Sequence, residues 1–275
     1  MARPQAEGMV HISELLQLKP ISDDIFVGVC HAARVGQANG GQITAHSVLA
    51  AGYTVDVEDL HSLHCYFLRP GRPEHPIEYR VKRVRDGRNF ASRQVDAWQS
   101  DKSICTMICS FQRPTSGRDF QTENPALEEN SLTPPDECQP SVSLLKRFSL
   151  AEKILDIREI VKDRARASQS LWVRVREELS HSSLTHAAAL AYLSDLDLGA
   201  LPFLSAPDSP EDAASLDHSL RVHRRVRADE WLQVLQCSPV VSSSRAFTTA
   251  EFSDRNGRRV ASASQELLIL PPRTA

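Results

Sequence analysis

Aromatic residues are scarce in this 275-residue sequence, at 6%, and glycine occurs only 11 times. No apolar run approaches the ~18 residues that a membrane-spanning helix needs. The opening stretch, MARPQAEGMVHISELLQLKP, lacks the apolar core of a secretory signal. The final Arg-Thr-Ala is not a peroxisomal address of the Ser-Lys-Leu type. A cytoplasmic protein without stable membrane insertion is the expectation. A basic excess is missing too: 32 Lys and Arg stand against 35 Asp and Glu, for a net charge of −3. That balance argues against a nucleic-acid partner.

Familiar catalytic and metal-binding signatures are also absent. The six cysteines (Cys30, Cys65, Cys105, Cys109, Cys138 and Cys237) never form C-x-x-C, so they read as buried free thiols. No G-x-S-x-G marks a serine elbow, and no G-x-G-x-x-G marks a dinucleotide fold. Gly36 and Gly41 have phosphate-loop spacing, but Gln42-Ile43 replaces the required Lys-Ser/Thr. The histidines form no H-E-x-x-H. His61 and His64 lie three apart on a strand-like segment, which turns them to opposite faces. They read as structural or exposed side chains, and no metal site is expected.

What is present is a pattern that occurs twice. In the first half, Gly40–Val55 has helical spacing of small and apolar residues. The runs LHSLHCYFL, IEYRVKRVRD, FASRQVDAWQ and SICTMICSFQ follow, several alternating with period two as half-buried antiparallel strands do. In the second half, WVRVREEL reads as a strand and Leu184–Leu196 as an alanine-rich helix. LDHSLRVHRRV, EWLQVLQCSP, SSRAFTTAEFSD and RVASASQELLIL again read as strands. Residues 114–141, rich in Pro, Glu, Ser and Asn, read as a linker between units 1–113 and 142–275. One helix and several antiparallel strands per half make an α+β fold, with a helix covering each sheet. Joining two such units edge to edge would hide one exposed strand edge in each.

Longer strings carry a resemblance. HSLHCYFLRPGRPEHPIEYRVKRVRDGRNFASRQV, GGQITAHSVLAA, LDIREI, LAYLSDLDL and SLDHSLRVHR…EWL together resemble the type II acyl-CoA thioesterase family, from about Phe26 to Leu270. The resemblance implies a double hot-dog fold, in which two tandem units each wrap an antiparallel sheet around one long helix. It implies hydrolysis of acyl-CoA to a free acid and CoA, without a cofactor. The family's catalytic Asp, hydroxyl residue and Gln fall on Asp195 of LAYLSDLDL, Ser215 of SLDH and Gln265 of ASASQEL. Asp197 is the neighbouring candidate, and Asp195 is preferred because it directly follows YLS. The analogy also admits a peroxisomal location.

A site of this kind must hold a water, take its proton and stabilise an oxyanion. Burial at a helix end would raise the Asp195 pKa and suit it to act as a base. Direct attack by Asp195 through an anhydride stays open beside activated water. Gly40, Gly41 and Gln42 open the first helix, where free N–H groups and a partial positive charge could polarise the thioester carbonyl. Arg69 and the runs Arg80–Arg88 and Arg221–Arg227 are candidates to hold the CoA phosphates. Ala45, Ala50, Ala51, Ala188, Ala189 and Ala191 either leave room for the acyl chain or let helix and sheet pack closely.

Asn39 stands where the family commonly has a bulkier apolar residue, which leaves the substrate class open. The alternatives are a thioesterase acting on an acyl chain bound to a carrier protein, and a non-catalytic acyl-CoA-binding protein. An enoyl-CoA hydratase would carry a D-x-N-P-x-H loop, and none occurs. A homo-oligomer is compatible with the sequence but not specified by it.

Overall fold

The computed structural model describes residues 11–34, 37–56, 59–122, 133–142, 144, 151–204 and 212–271. The first half contains α1 (Ile12–Leu15), β1 (Lys19–Ser22), β2 (Ile25–Gly28), β3 (Ala32–Arg34), β4 (Gln37–Ala38) and α2 (Gly40–Gly52). It continues through β5 (Asp59–Phe67), β6 (Ile77–Asp86), β7 (Phe90–Gln99) and β8 (Lys102–Gln112). The second half contains β9 (Gln139–Pro140), α3 (Ala151–Ile154), β10 (Leu155–Asp163), β11 (Ser168–Val175) and α4 (Ser183–Ser194). It closes with β12 (Asp212–Ser215), β13 (Asp217–Val222), β14 (Leu232–Ser242), β15 (Arg245–Ser253) and β16 (Arg259–Leu270).

The alternating residues make the strands expected of them. In β7 every second residue from Ala91 is buried, so one face meets the core and the other turns outward. One inward position is Arg93, whose guanidinium donates to the Thr54 hydroxyl, to Asp86 and to the backbone carbonyls of Thr54, Arg85 and Ser92. Apart from β3 and β4, which pair with each other, the strands form one antiparallel sheet in the order β1-β2-β6-β7-β8-β5-β13-β16-β15-β14-β11-β10-β9, with β12 also on β16. The halves join where β5 pairs with β13, from Tyr66 opposite Asp217 to Ser62 opposite Arg221. Each half thus uses the other to close an edge.

The helices α2 and α4 lie inside this curved sheet. Both are buried almost all round, as helices without a polar face must be. They run antiparallel, with Gly52 against Leu184 at one end and Gly41 against Tyr192 and Asp195 at the other. The alanines Ala45, Ala50, Ala51, Ala188, Ala189 and Ala191 are fully buried in this core. They serve close packing. The described cysteines are free, and all but Cys237 are buried. This is the double hot-dog architecture that the resemblance implied.

Some boundaries differ from the sequence expectation. The first helix ends at Gly52 rather than Val55, and Thr54 folds its hydroxyl back onto Ala51 O at 2.8 Å. The described parts of 114–141 lie along the second half, while 123–132 fall outside the described residues. Asp119 pairs with Arg224 and Arg258, and Gln121 donates to Gly257 O at 2.9 Å. Trp172 donates to Thr133 O at 3.0 Å, and β9 pairs with Arg158 and Glu159 of β10.

Candidate active site

Where α2 begins, α4 ends. Asn39 caps α2, its Oδ1 accepting from Gln42 N at 2.8 Å. A side-chain oxygen in that position satisfies one of the first-turn N–H groups. On the facing helix, Asp195 is the C-cap residue, after which Asp197 takes a left-handed conformation with φ 61°. Gln169 fixes that turn by donating to Asp197 Oδ2 at 3.0 Å. The chain therefore leaves the helix sharply, with the Asp195 side chain held against the start of α2.

The two glycines make this approach fit. A Cβ on Gly40 would lie 3.2 Å from Asp195 Oδ2 and 3.3 Å from the Phe67 ring. On Gly41 it would lie 2.9 Å from the Tyr192 carbonyl oxygen and 3.1 Å from Asp195 Cβ. Two helix ends meet here so closely that backbone closes off a side chain at Gly41, while at Gly40 side-chain atoms of Asp195 and Phe67 leave little room for one. The Gly41 N–H also faces the Asp195 carboxylate and favours its ionised form.

The third element is β16. Its inward face carries Gln265, only 1% exposed. Gln265 Nε2 donates to Asp195 Oδ1 at 3.1 Å and also to Ser215 Oγ, at the end of β12. Three residues from separate segments thus meet through one carboxamide. Burial pushes the Asp195 carboxyl up to about 6, against the pull of the Gln265 and Gly41 donors. Beside them opens a cavity of about 420 Å³, lined by Asp195, Ser215, Gly40, Asn39, Phe67 and Arg69 among others. It has an apolar wall, including Ile43, Ala214 and Leu270.

Gln42 does not join this group. Its Oε1 accepts from His31 N at 2.8 Å, and its Nε2 donates to Leu15 O and Val29 O. Its N–H is taken by Asn39, so both of its ends tie α2 to the preceding segments. Of the arginine candidates, Arg69 lines this cavity, while Arg224, Arg225 and Arg227 line a separate one. Arg80 and Arg83 are spent on Glu78 and Asp24 on the outer side of β6. Two features escaped the sequence reading. Asn39 acts as a helix cap, for which Asn directly before Gly-Gly was the available signal. His218 points inward beside Gln265, for which the alternation in DHSLRV was the signal. No cluster of metal-ligating side chains occurs among the described residues.

Two family models match the chain: the acyl-CoA thioesterase N-terminal domain over residues 31–112, and the acyl-CoA thioesterase C-terminal domain over residues 127–269. Human acyl-coenzyme A thioesterase 8 is 30% identical, covering 94% of this chain and 89% of its own. The crystal structure of the acyl-CoA thioesterase II TesB2 of Mycobacterium marinum is 33% identical, with a TM-score of 0.80 over 95% of this chain and 99% of its own. A hot-dog protein of Alicyclobacillus acidocaldarius, at 17% identity, shares the fold with a TM-score of 0.79 over 94% and 98% of the two chains. With both halves matched in order and the architecture shared along the chain, this protein belongs to the acyl-CoA thioesterase family.

Proposed function

We propose that the protein hydrolyses acyl-CoA thioesters at the cavity between α2 and α4, with Asp195, Ser215 and Gln265 as the catalytic residues. The observation that carries this reading is the Gln265 carboxamide bridging Asp195 and Ser215 beside the open start of α2. The thioester carbonyl approaches the Gly40 N–H, where the first peptide of the helix and its partial positive charge stabilise an oxyanion. Ser215 and Asp195 hold a water against the carbonyl carbon. Asp195 takes one proton as the water oxygen bonds to carbon. The tetrahedral intermediate then collapses, the C–S bond breaks, and the proton on Asp195 passes to the departing thiolate. Acyl-CoA and water give a free acid and CoA, and Asp195 returns to its starting state.

An Asp195 pKa near 6 suits this work. The group is ionised at neutral pH, yet basic enough to accept a proton in the transition state. Under this reading residues 1–113 and 142–275 are the two hot-dog units and 114–141 connects them. The second supplies the three catalytic side chains, and the first supplies Gly40 and Gly41. No helix among the described residues is long and apolar enough to cross a membrane. A cytoplasmic site of action belongs to the same reading and rests on the sequence.

The test is thiol release from a panel of acyl-CoAs by the wild type and by Asp195→Asn. Turnover by the wild type and its loss in a folded variant support the assignment. Equal turnover in both would remove Asp195 from the chemistry.

A further inference from the structure

Gln265 can present its carboxamide in two orientations, related by a half-turn that exchanges Oε1 and Nε2. In the orientation observed, Nε2 directs its N–H groups to Asp195 and Ser215. In the other, Oε1 would face a carboxylate, lone pair against lone pair. The proposed chemistry needs the first. Something must hold it there, because the two forms have the same shape.

β13 pairs with β16 from Ser219 opposite Ser264 to Val222 opposite Ala261, and just before this paired stretch the His218 side chain lies against Gln265. His218 is 0% exposed. Its Nε2 lies 2.8 Å from Ser194 Oγ, at the end of α4. Its Nδ1 and Gln265 Oε1 are both buried, and neither has a partner within ordinary hydrogen-bond limits. A buried orphan costs about 1–3 kcal/mol, so two complementary orphans on adjacent strands are each other's natural partner.

We propose that His218 is a positioning residue for Gln265. With its proton on Nδ1 it donates to Gln265 Oε1, and at Nε2 it accepts the Ser194 hydroxyl proton. The carboxamide is thereby locked with its N–H groups on Asp195 and Ser215. This inference rests on the thioesterase reading above and extends the site inward by two residues.

The opposite tautomer is less consistent with the surroundings. Ser194 Oγ also lies 2.9 Å from Ala191 O, so its proton has a second acceptor. If it went there, Nε2–H would donate to Ser194 and the bare Nδ1 would face Gln265 Oε1. That arrangement sets two acceptors against each other in a buried site and leaves both unsatisfied. Burial dominates and brings the His218 pKa down to about 4, so the ring stays neutral at working pH and carries no proton in turnover.

The test has two arms. In the first, ¹⁵N-histidine NMR of the wild-type protein at pH 7 reads the tautomer of His218, assigned by the resonance lost in His218→Asn. Nδ1–H is expected, and Nε2–H would overturn the proposal. In the second, His218→Leu removes the donor, while His218→Asn returns an N–H near the Nδ1 position. The Leu variant should lose about a hundredfold in kcat with little change in KM, the scale of a misplaced catalytic group. The acid limb of its pH profile should move up, because Asp195 loses an oriented donor. The Asn variant should recover most of kcat and the original limb.

The titratable groups against this pair are Asp195 on the Gln265 side and His64 on β5. Both stay in place in the two variants. Leu and Asn variants that fall alike, with an unmoved acid limb, would reduce His218 to a packing residue. The tautomer measurement involves no turnover. It stands or falls separately from the Asp195→Asn test of the catalytic assignment.

Discussion

Gln265 Nε2 lies 3.1 Å from Asp195 Oδ1, across 70 residues of sequence and between two different elements of the fold. The contact tempers a costly arrangement. A carboxylate enclosed at a helix end resists ionisation, and two donors bring it only part of the way back.

The pH dependence follows. Asp195 must be ionised to accept a proton, and its pKa is raised from 3.8 to about 6. kcat/KM should therefore fall tenfold per pH unit below about 6 and level off above it. A profile measured with one saturated acyl-CoA between pH 4.5 and 8 checks this. An acid limb near 4 would mean that Asp195 is not the titrating base.

Stability should vary in the opposite sense. The folded protein holds the Asp195 proton up to about pH 6, whereas the unfolded chain releases it near 3.8. Between these values the folded state binds more protons, so the Asp195 contribution to stability falls as pH rises and stays low above 6. Asp195→Asn removes the buried charge. The variant should lose turnover yet gain on the order of 1–3 kcal/mol at pH 7, and much less at pH 4. Denaturant melts at both pH values read the difference.

The glycine pair gives a graded prediction. In Gly41→Ala the new methyl meets backbone, the Tyr192 carbonyl at 2.9 Å, and must push the end of α4 away. Stability should fall by about 1–3 kcal/mol, with a loss of kcat larger than tenfold as Asp195 shifts. In Gly40→Ala the nearest atoms are side-chain atoms of Asp195 and Phe67 at 3.2 and 3.3 Å, which can yield. That variant should melt close to the wild type while its KM rises, because the methyl enters the cavity. Equal effects at both positions would contradict the geometry.

Much of this arrangement was legible in the sequence, for physical reasons that also set the limits. FASRQVDAWQ shows its strand because one face is buried and the other is not. The short β1 and β2 were not read, because four residues hold too little alternation to stand out. β12 was also missed: its four residues are all half-buried beside the cavity, so no face is marked. At the site, the side chains Asp195, Ser215 and Gln265 could be named from a resemblance. That Gln42 faces away from the cavity could not be read, because its partners Leu15, Val29 and His31 are contacts made only on folding. His218 is silent for a similar reason, since its significance depends on the strand beside it.

Gln265→Glu offers the sharpest probe of the bridge. The substitution keeps the shape but replaces the donor on Asp195 with a second carboxylate. Two carboxyls at that distance cannot both ionise easily, so the pair should titrate with one apparent pKa well above 6. Activity at pH 7 should drop by about a hundredfold or more and recover partly toward pH 9. Gln265→Leu, which removes the donor without adding charge, should lose activity with a smaller upward shift. The same profile for both variants would mean that the carboxamide does not touch the base.

Arg69 tests which end of the molecule receives the CoA phosphates. It is exposed at the cavity that holds Asp195, and its Nη1 donates to Ser103 O at 2.8 Å, which keeps the guanidinium at the mouth. Arg225 lies in the other cavity, paired with Asp59 at 3.1 Å. Removing a phosphate-binding cation weakens substrate and transition state alike, so it raises KM and leaves kcat unchanged. Arg69→Ala should thus raise KM several-fold, by about 1 kcal/mol of lost charge contact, and flatten the rise of KM with added salt. Arg225→Ala should leave both constants alone. A KM effect confined to Arg225 would place the phosphates at the far end of the helices, and the pose that sets them at Arg69 would fail.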